Sequence, residues 1–117
     1  MIRAGELELF EYMLLDIFNL NCKPITKFSR QIKYQRDECY GFYNGEPLSN
    51  NRFLHRIRIS RKLIKTSEAL FSTLAHEYVH AWQMEKCFDV YHDKANKFDY
   101  WQNYFQVRFN IDIVGMV

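Results

Sequence analysis

Two histidines spaced four residues apart, with a glutamate beside the first, are the residues in this chain best suited to chemistry. They form the run His76-Glu77-Tyr78-Val79-His80, which has the pattern H-E-x-x-H. On a helix, residues i and i+4 lie on one face, so both imidazoles can reach the same metal ion. Glu77 borders that face. The spacing predicts two neutral nitrogen ligands and a carboxylate placed as a general base, and therefore zinc-dependent hydrolysis, most often of peptide bonds.

The sequence around the motif predicts a mostly buried helix over residues 67–86. Thr66 or Ser67 can cap its start, and Glu68 in the first turn suits the positive end of the helix dipole. Apolar side chains cover most of the circumference, and the two histidines share the remaining sector with Glu77. Unpaired buried polar groups are costly, and a metal ion would satisfy these three. The alternative is a pair of core or surface histidines beside a solvated glutamate.

A third metal ligand must come from downstream of the motif. A catalytic zinc usually takes three protein ligands and leaves one position for water. The stretch after the motif lacks the glycine and third histidine of the metzincin pattern, and no glutamate follows Glu85. His92 is the only later histidine, so we expect it to be the third ligand, with Asp89 and Asp93 as alternative oxygen ligands. Otherwise His92 is a surface residue at a helix start.

The motif region resembles a known family. The run from Thr73 to Gln83, followed by His92 and an aromatic helix, is similar to the SprT-like zinc metalloproteases, which include the Spartan-type DNA–protein crosslink proteases. The resemblance spans about residues 57–104 and is strongest where Ala81-Trp82 extends the motif. Asp93 stands where the family commonly has glycine, and Phe98 comes six residues after His92 instead of four.

The resemblance implies a zincin-like metalloprotease domain and a set of roles. His76, His80 and His92 would hold Zn²⁺, and Glu77 would be the catalytic base. A second donor to the reacting carbonyl is usual, and Tyr91 or Tyr78 are candidates, although the helical wheel places Tyr78 away from the metal face. Asp89 or Asp99 could orient a ligand histidine. The implied substrate is a protein or peptide, including proteins associated with DNA.

Composition is consistent with one intracellular domain over residues 1–117. Hydrophobic residues make up 48% and aromatic residues 17% of the 117, which is ample for a core. No apolar run approaches the roughly 20 residues of a membrane span, and no signal peptide is visible. The three cysteines form no C-x-x-C pair, which favours a reduced compartment. We expect a cytoplasmic monomer without membrane contact, or a nuclear or host-cell location if the source is eukaryotic or viral.

Periodicity predicts an α+β fold in which a small mixed or antiparallel sheet packs against about three helices. Helices are expected over residues 4–20 and 94–105, besides the motif helix. Strands are expected over 25–34, 39–43, 53–60 and 108–114, and Asn44-Gly45 reads as a turn that ends the second. His55, on strand 53–60, is either a ligand or a strand histidine unrelated to the metal. By the resemblance, strand 53–60 occupies the position of a substrate-aligning edge strand.

Basic residues suggest a rival function. The net charge of +2 does not by itself argue for nucleic-acid binding. However, a basic stretch over residues 52–65 and another over 27–36 could grip a nucleic-acid backbone. The candidate binding residues are Arg52, Arg56, Arg58, Arg61 and Lys62. The alternative is a solvated strand face. The rival functions are therefore a catalytically silent zinc-containing module that binds nucleic acid or protein, and a structural protein stapled by zinc.

Overall fold

The computed structural model describes residues 2–87 and 97–113. These ranges contain three helices and five strands. The helices are α1 (Ala4–Phe18), α2 (Ser67–Cys87) and α3 (Phe98–Phe109). The strands are β1 (Ile25–Ser29), β2 (Lys33–Tyr34), β3 (Asp37–Glu38), β4 (Gly41–Pro47) and β5 (Phe53–Ser60). The predicted α+β class is confirmed, with the H-E-x-x-H motif on α2 as in zincin-like folds.

The main sheet has three strands in the order β1-β5-β4. Strand β1 runs parallel to β5 and β4 runs antiparallel to it, so Ile57 lies opposite both Thr26 and Tyr43. The expectation that β5 is an edge strand is therefore wrong. Its alternating pattern predicts one buried face but carries no information about how many neighbours hydrogen-bond to it. Within the described ranges, β4 is the edge strand beside α2.

The core lies between the inner face of this sheet and the helices. Strand β5 contributes a buried row, as its alternation predicts: Phe53, His55, Ile57 and Ile59. The helices cover it with large apolar side chains that are at most 2% exposed: Leu14, Phe18, Leu70, Leu74, Tyr78 and Phe105. Each such side chain contributes roughly 1.5–3 kcal/mol to stability by leaving water. This packing fixes α2 against β4 and β5.

Helix α2 begins and ends close to where the sequence places it. The Thr66 hydroxyl accepts a hydrogen bond from the backbone N–H of Ala69 at 3.1 Å, which confirms Thr66 as the cap.

The buried Glu11 carboxylate on α1 links three elements of the fold. It accepts a hydrogen bond from the hydroxyl of Tyr78 on α2, at 2.8 Å, and another from the hydroxyl of Thr26 on β1, at 2.7 Å. One carboxylate thus ties α1 to both α2 and β1.

The predicted turn at Asn44-Gly45 is wrong, because β4 runs straight through it. A Cβ added at Gly45 would lie 2.1 Å from the Tyr43 hydroxyl oxygen, so this glycine permits a close side-chain approach. The turn between β4 and β5 comes later, where Asn50 and Asn51 adopt positive φ of 63° and 58°. Asparagine tolerates this left-handed region, which is why the turn does not need the glycine.

Two other strand predictions also fail. The single strand over 25–34 is divided, because β1 ends at Ser29 and the buried Ile32 separates it from the β2–β3 hairpin. The strand over 108–114 is wrong within the described residues, since α3 continues to Phe109 and Asn110 caps it in the left-handed conformation. Residues 111–113 follow without strand pairing. The predicted helix start at residue 94 lies outside the described residues.

In the part of the chain that the structure describes, no helix combines the length and the apolar character that crossing a membrane requires.

Candidate metal centre

Helix α2 brings the three motif side chains together at one place. The potential ligand atoms of His76, Glu77 and His80 all lie within 4.8 Å of one another. The three residues are only 2%, 3% and 9% exposed. Among the described residues, this is the one cluster of at least three histidine, cysteine or acidic side chains that could hold a metal ion.

Each histidine is held by an acceptor on its Nδ1 side. His76 Nδ1 lies 2.6 Å from the backbone carbonyl oxygen of Ile113, which can only accept a hydrogen bond. His80 Nδ1 lies 3.0 Å from the side-chain oxygen of Gln83. Both rings are therefore assigned the tautomer in which Nδ1 carries the proton and Nε2 keeps its lone pair. This arrangement is typical of histidines that bind a metal through Nε2, so the donor set fits a divalent ion such as Zn²⁺.

Aromatic rings enclose the histidines. The Phe98 ring at the start of α3 lies 5.0 Å from the His76 ring and 5.7 Å from the His80 ring, measured between centroids. The Tyr43 ring on β4 lies 6.2 Å from the His80 ring. These rings reduce the exposure of the cluster to water, which strengthens electrostatic interactions inside it.

Strand β4 lies directly against the glutamate of the motif. A Cβ placed on Gly41 would be 2.8 Å from a carboxylate oxygen of Glu77 and 2.7 Å from the Thr73 methyl group. Real Cβ atoms do not approach that closely, so only glycine allows this contact. The edge strand and the predicted base are thus immediate neighbours.

The other predicted site residues either lie outside the described residues or are not part of the metal cluster. His92, Asp89, Asp93 and Tyr91 lie outside the described residues, and their roles stay predictions. Tyr78 does not face the cluster: its hydroxyl donates to Glu11, and burial with the Glu11 charge nearby raises the pKa of Tyr78 strongly.

His55 and Asp99 complete the account of the predicted residues. His55 does not join the metal cluster and is bonded to Tyr43 and Glu85 instead. Asp99 is exposed in the first turn of α3. The Nδ1 atoms of the two histidines bond to Ile113 and Gln83, two partners that the sequence analysis did not propose.

Three contributors to the site were missed, for different reasons. Gln83 lies three residues after His80 on the same helix face, so helical spacing could have revealed it. The Ile113 carbonyl is a backbone atom 37 residues from His76, and no side-chain pattern encodes it. Gly41 acts through a missing side chain, which becomes informative only once the packing of β4 on α2 is known.

The five predicted nucleic-acid-binding residues have different surroundings, and their role stays a prediction. Arg56 and Arg58 are exposed on the outer face of β5, the face turned away from α2. Lys62 forms an ion pair with Glu38 at 2.6 Å, and the Arg61 guanidinium lies 5.3 Å from the centre of the Phe28 ring. Arg52 is exposed directly before the start of β5, roughly 13 Å along the strand from Arg56.

A comparison with known families fits this geometry. The model of the SprT-like family matches residues 7–112, which include the whole motif helix, β4 and Gln83. The chain belongs to the SprT-like family. SprT-like proteins are broadly associated with zinc metalloprotease-like domains, and the matched range of this SprT-like chain also includes His92. Neither a curated protein nor a solved structure matches it.

Proposed function

We propose that this SprT-like protein is a zinc-dependent endopeptidase in which Glu77 is the general base. The observation that carries the proposal is the buried cluster of His76, Glu77 and His80, with both imidazoles fixed to present Nε2. His92 is the proposed third ligand. The three cysteines, all free thiols, are consistent with a reduced compartment, and we propose the cytoplasm as the site of action.

The chain's own residues would divide the work of peptide hydrolysis. Zinc would supply Lewis acidity to a water molecule and to the peptide carbonyl. The Glu77 carboxylate would accept a proton from the attacking water and deliver it to the leaving amine nitrogen. Ile113 and Gln83 keep His76 and His80 in the required tautomer, so that no ring has to turn during the reaction. Phe98 and Tyr43 limit the access of other water molecules.

The substrate would bind as an additional strand beside β4. An extended peptide can hydrogen-bond to the free edge of a sheet through its backbone. Within the described ranges β4 has such an edge, and its residue Gly41 touches Glu77. A peptide paired there would pass the base closely. Recognition through the backbone favours unfolded or exposed segments over a particular sequence, and proteins associated with DNA are one such substrate class.

Metal removal and replacement test the proposal. Wild-type protein would be treated with a chelator and then reloaded with one equivalent of zinc, using a disordered protein as substrate. We expect cleavage to stop and then return, with new amino termini identified by mass spectrometry. A His80→Asn variant treated in the same way should neither retain zinc nor cleave. Cleavage that persists without metal, or reloaded protein that cleaves nothing, would contradict the proposal.

A second candidate function is nucleic-acid binding on the outer face of the sheet. Lys27 lies opposite Arg58 in the register, and both are exposed next to Arg56. This face lies across the sheet from the metal cluster, so a nucleic acid and a peptide could be held at the same time. Each phosphate neutralised would contribute about 0.7–0.9 to the slope of log affinity against log salt.

Nucleic-acid retention is testable without any peptidase assay. Replacing Arg56 and Arg58 together by alanine should weaken retention on single-stranded DNA and lower the salt slope by about 1.5. Lys86→Ala, which removes an exposed cation from α2, should not. Equal retention of single-stranded DNA by wild type, the Arg56/Arg58 double variant and Lys86→Ala would exclude this face as the binding surface.

A further inference from the structure

A chain of hydrogen bonds lies beside the metal cluster, and its members His55 and Glu85 are not part of that cluster. The Tyr43 hydroxyl oxygen lies 2.6 Å from His55 Nδ1, and His55 Nε2 lies 2.7 Å from a Glu85 carboxylate oxygen. His55 is fully buried and Glu85 is 7% exposed. Burying an ionisable pair is costly unless it is well hydrogen-bonded, so this chain must be held by its surroundings.

The backbone supplies that support at the Glu85 end. The Glu85 carboxylate accepts the N–H of Asn21 at 2.8 Å and that of Cys22 at 3.0 Å. Burial alone would raise the pKa of Glu85, but the hydrogen bonds from His55, Asn21 and Cys22 outweigh it and hold the pKa below its usual value. An ionised carboxylate only accepts, so His55 donates through Nε2. In neutral His55, Nδ1 then accepts a hydrogen bond from the Tyr43 hydroxyl.

The strand sequence is shaped to allow this chain. On its inner face, β4 carries Gly41, Tyr43 and Gly45 in alternation. A Cβ on Gly45 would lie 2.1 Å from the Tyr43 hydroxyl oxygen and clash with it. The Tyr43 side chain therefore lies along the strand, over Gly45. The cross-strand partner of Gly45 is His55. The missing side chain at position 45 therefore gives the hydroxyl its path to the imidazole.

The other end of this chain reaches the metal cluster. The Tyr43 ring lies against His80, with centroids 6.2 Å apart and the ring planes inclined by 33°. Two residues earlier on the same strand face, Gly41 contacts Glu77. The Tyr43 ring thus packs on His80, and it stands two residues along β4 from the glycine that contacts the predicted base.

We propose that Tyr43, His55 and Glu85 form a positioning relay for the metal centre. Glu85 orients His55, His55 fixes the Tyr43 hydroxyl, and the Tyr43 ring supports His80. Tyr43 acts through His80 and is a positioning residue. For its effect on turnover the inference rests on the proposed peptidase function, whereas its effect on metal binding does not.

Cobalt substitution tests the relay independently of activity, because the visible absorption of Co²⁺ reports its ligand geometry. Tyr43→Phe removes one hydroxyl, Glu85→Gln removes the charge, and Tyr34→Phe removes a hydroxyl from an exposed tyrosine on β2 as a control. We expect the first two variants to alter the Co²⁺ spectrum and weaken Co²⁺ binding about tenfold, at the lower end for groups that orient metal ligands. The control should match wild type.

The double variant Tyr43→Phe/Glu85→Gln distinguishes a relay from two separate structural effects. If the two residues act through one relay, the effects of their substitutions on the free energy of Co²⁺ binding are not additive. The double variant should therefore bind Co²⁺ about as weakly as the weaker-binding single variant. On a peptide substrate, kcat should fall about tenfold while KM stays within about twofold, because the β4 backbone edge is unchanged. Circular dichroism would establish that each variant is folded.

Several outcomes would overturn the relay: wild-type Co²⁺ spectra and affinities in the folded single variants, effects that multiply in the double variant, or a wild-type protein that binds no Co²⁺. Glu85→Gln could prevent folding, and in that case Tyr43→Phe alone decides between an altered and an unaltered spectrum. A wild-type protein that binds Co²⁺ with the expected changes in its variants, yet cleaves nothing, would refute the proposed peptidase function and leave the relay supported.

Discussion

At the scale of single residues, the metal-binding form of the two histidines depends on acceptors from different parts of the chain. Ile113 fixes His76 from the segment after α3, whereas Gln83 fixes His80 from the same helix. Such partners raise the basicity of the ligand nitrogen and prevent the ring from turning. The H-E-x-x-H pattern therefore specifies the ligands but not the bonds that make them effective.

Removing the acceptor on Gln83 should weaken metal binding. Gln83→Leu keeps a similar volume but leaves the Nδ1 proton of His80 without this partner. We expect zinc affinity to fall about 10- to 100-fold, measured by competition with a chromogenic chelator. Gln106→Leu, on the exposed face of α3, is the matched control and should bind zinc normally. Equal affinities for the two variants would mean that the Gln83 contact does not orient His80.

Adding one methyl group at Gly41 should separate catalysis from metal binding. In Gly41→Ala the new Cβ would have to displace Glu77 or β4, since it meets the carboxylate at 2.8 Å. A misplaced general base loses most of its typical 10²- to 10⁴-fold contribution, so we expect kcat to fall at least about tenfold.

Zinc content and peptide turnover measured on the same sample check this prediction, because zinc should still bind to Gly41→Ala. Gly5→Ala is the control, as its Cβ would meet no atom within 4 Å. Unchanged turnover in Gly41→Ala would show that β4 does not constrain the base.

At the scale of elements, the sequence predicts what periodicity encodes and misses what packing decides. Helix α2 and strand β5 follow from the spacing of buried side chains, such as Ile57 and Ile59, and β5 has the predicted bounds. The sequence predicts too early an end for strand β4 because Asn44-Gly45 resembles a turn, whereas the glycine is needed for its contact with Tyr43. The neighbours of β5 in the sheet depend on contacts distant in sequence, which one strand's pattern cannot reveal.

The junction of α2 with the chain before β1 should be sensitive to acid through Glu85. The folded pKa of Glu85 is below its ordinary value of 4.5. Its stabilisation is therefore fully present above about pH 4.5 and is lost as the pH falls through the folded pKa. We expect Glu85→Gln to be less stable than wild type by about 1.5–3 kcal/mol at pH 7, the range for hydrogen bonds to a charged group.

Urea unfolding at pH 7, 5.5, 4 and 3 would measure how this difference changes. It should shrink below about pH 4.5. Other carboxylates with lowered pKa values, such as Glu6 and Glu38, are shared by both proteins and cancel in the comparison. A difference that is the same at every pH would contradict the assignment of Glu85 as an ionised, hydrogen-bonded carboxylate with a lowered pKa.

At the scale of the whole molecule, the candidate metal site joins segments that are far apart in the sequence. Helix α2 supplies the candidate cluster of His76, Glu77 and His80, β4 and Phe98 enclose it, and residue 113 bonds to His76. A ligand that binds only the folded state stabilises the entire fold. Metal occupancy should therefore be visible in global unfolding as well as in activity.

Zinc removal should lower the thermal stability of the protein. At free zinc 100 times above the dissociation constant, binding contributes about 2.7 kcal/mol to the free energy of unfolding. For a domain of this size that corresponds to a fall in Tm of roughly 10 °C on chelation, measured by calorimetry. His80→Asn should show no comparable change. A wild-type Tm that is insensitive to both zinc and chelator would argue against a metal centre built into the fold.

The peptidase assignment is tested most directly by one comparison, the turnover of wild type and Glu77→Gln at equal bound zinc. If Glu77 is the general base, the variant should keep a zinc affinity within a few-fold of wild type and lose about 10²- to 10⁴-fold in kcat on a disordered protein. Glu68→Gln, in the exposed first turn of α2, should retain full turnover. A zinc-loaded Glu77→Gln variant that cleaves at the wild-type rate would contradict the assignment.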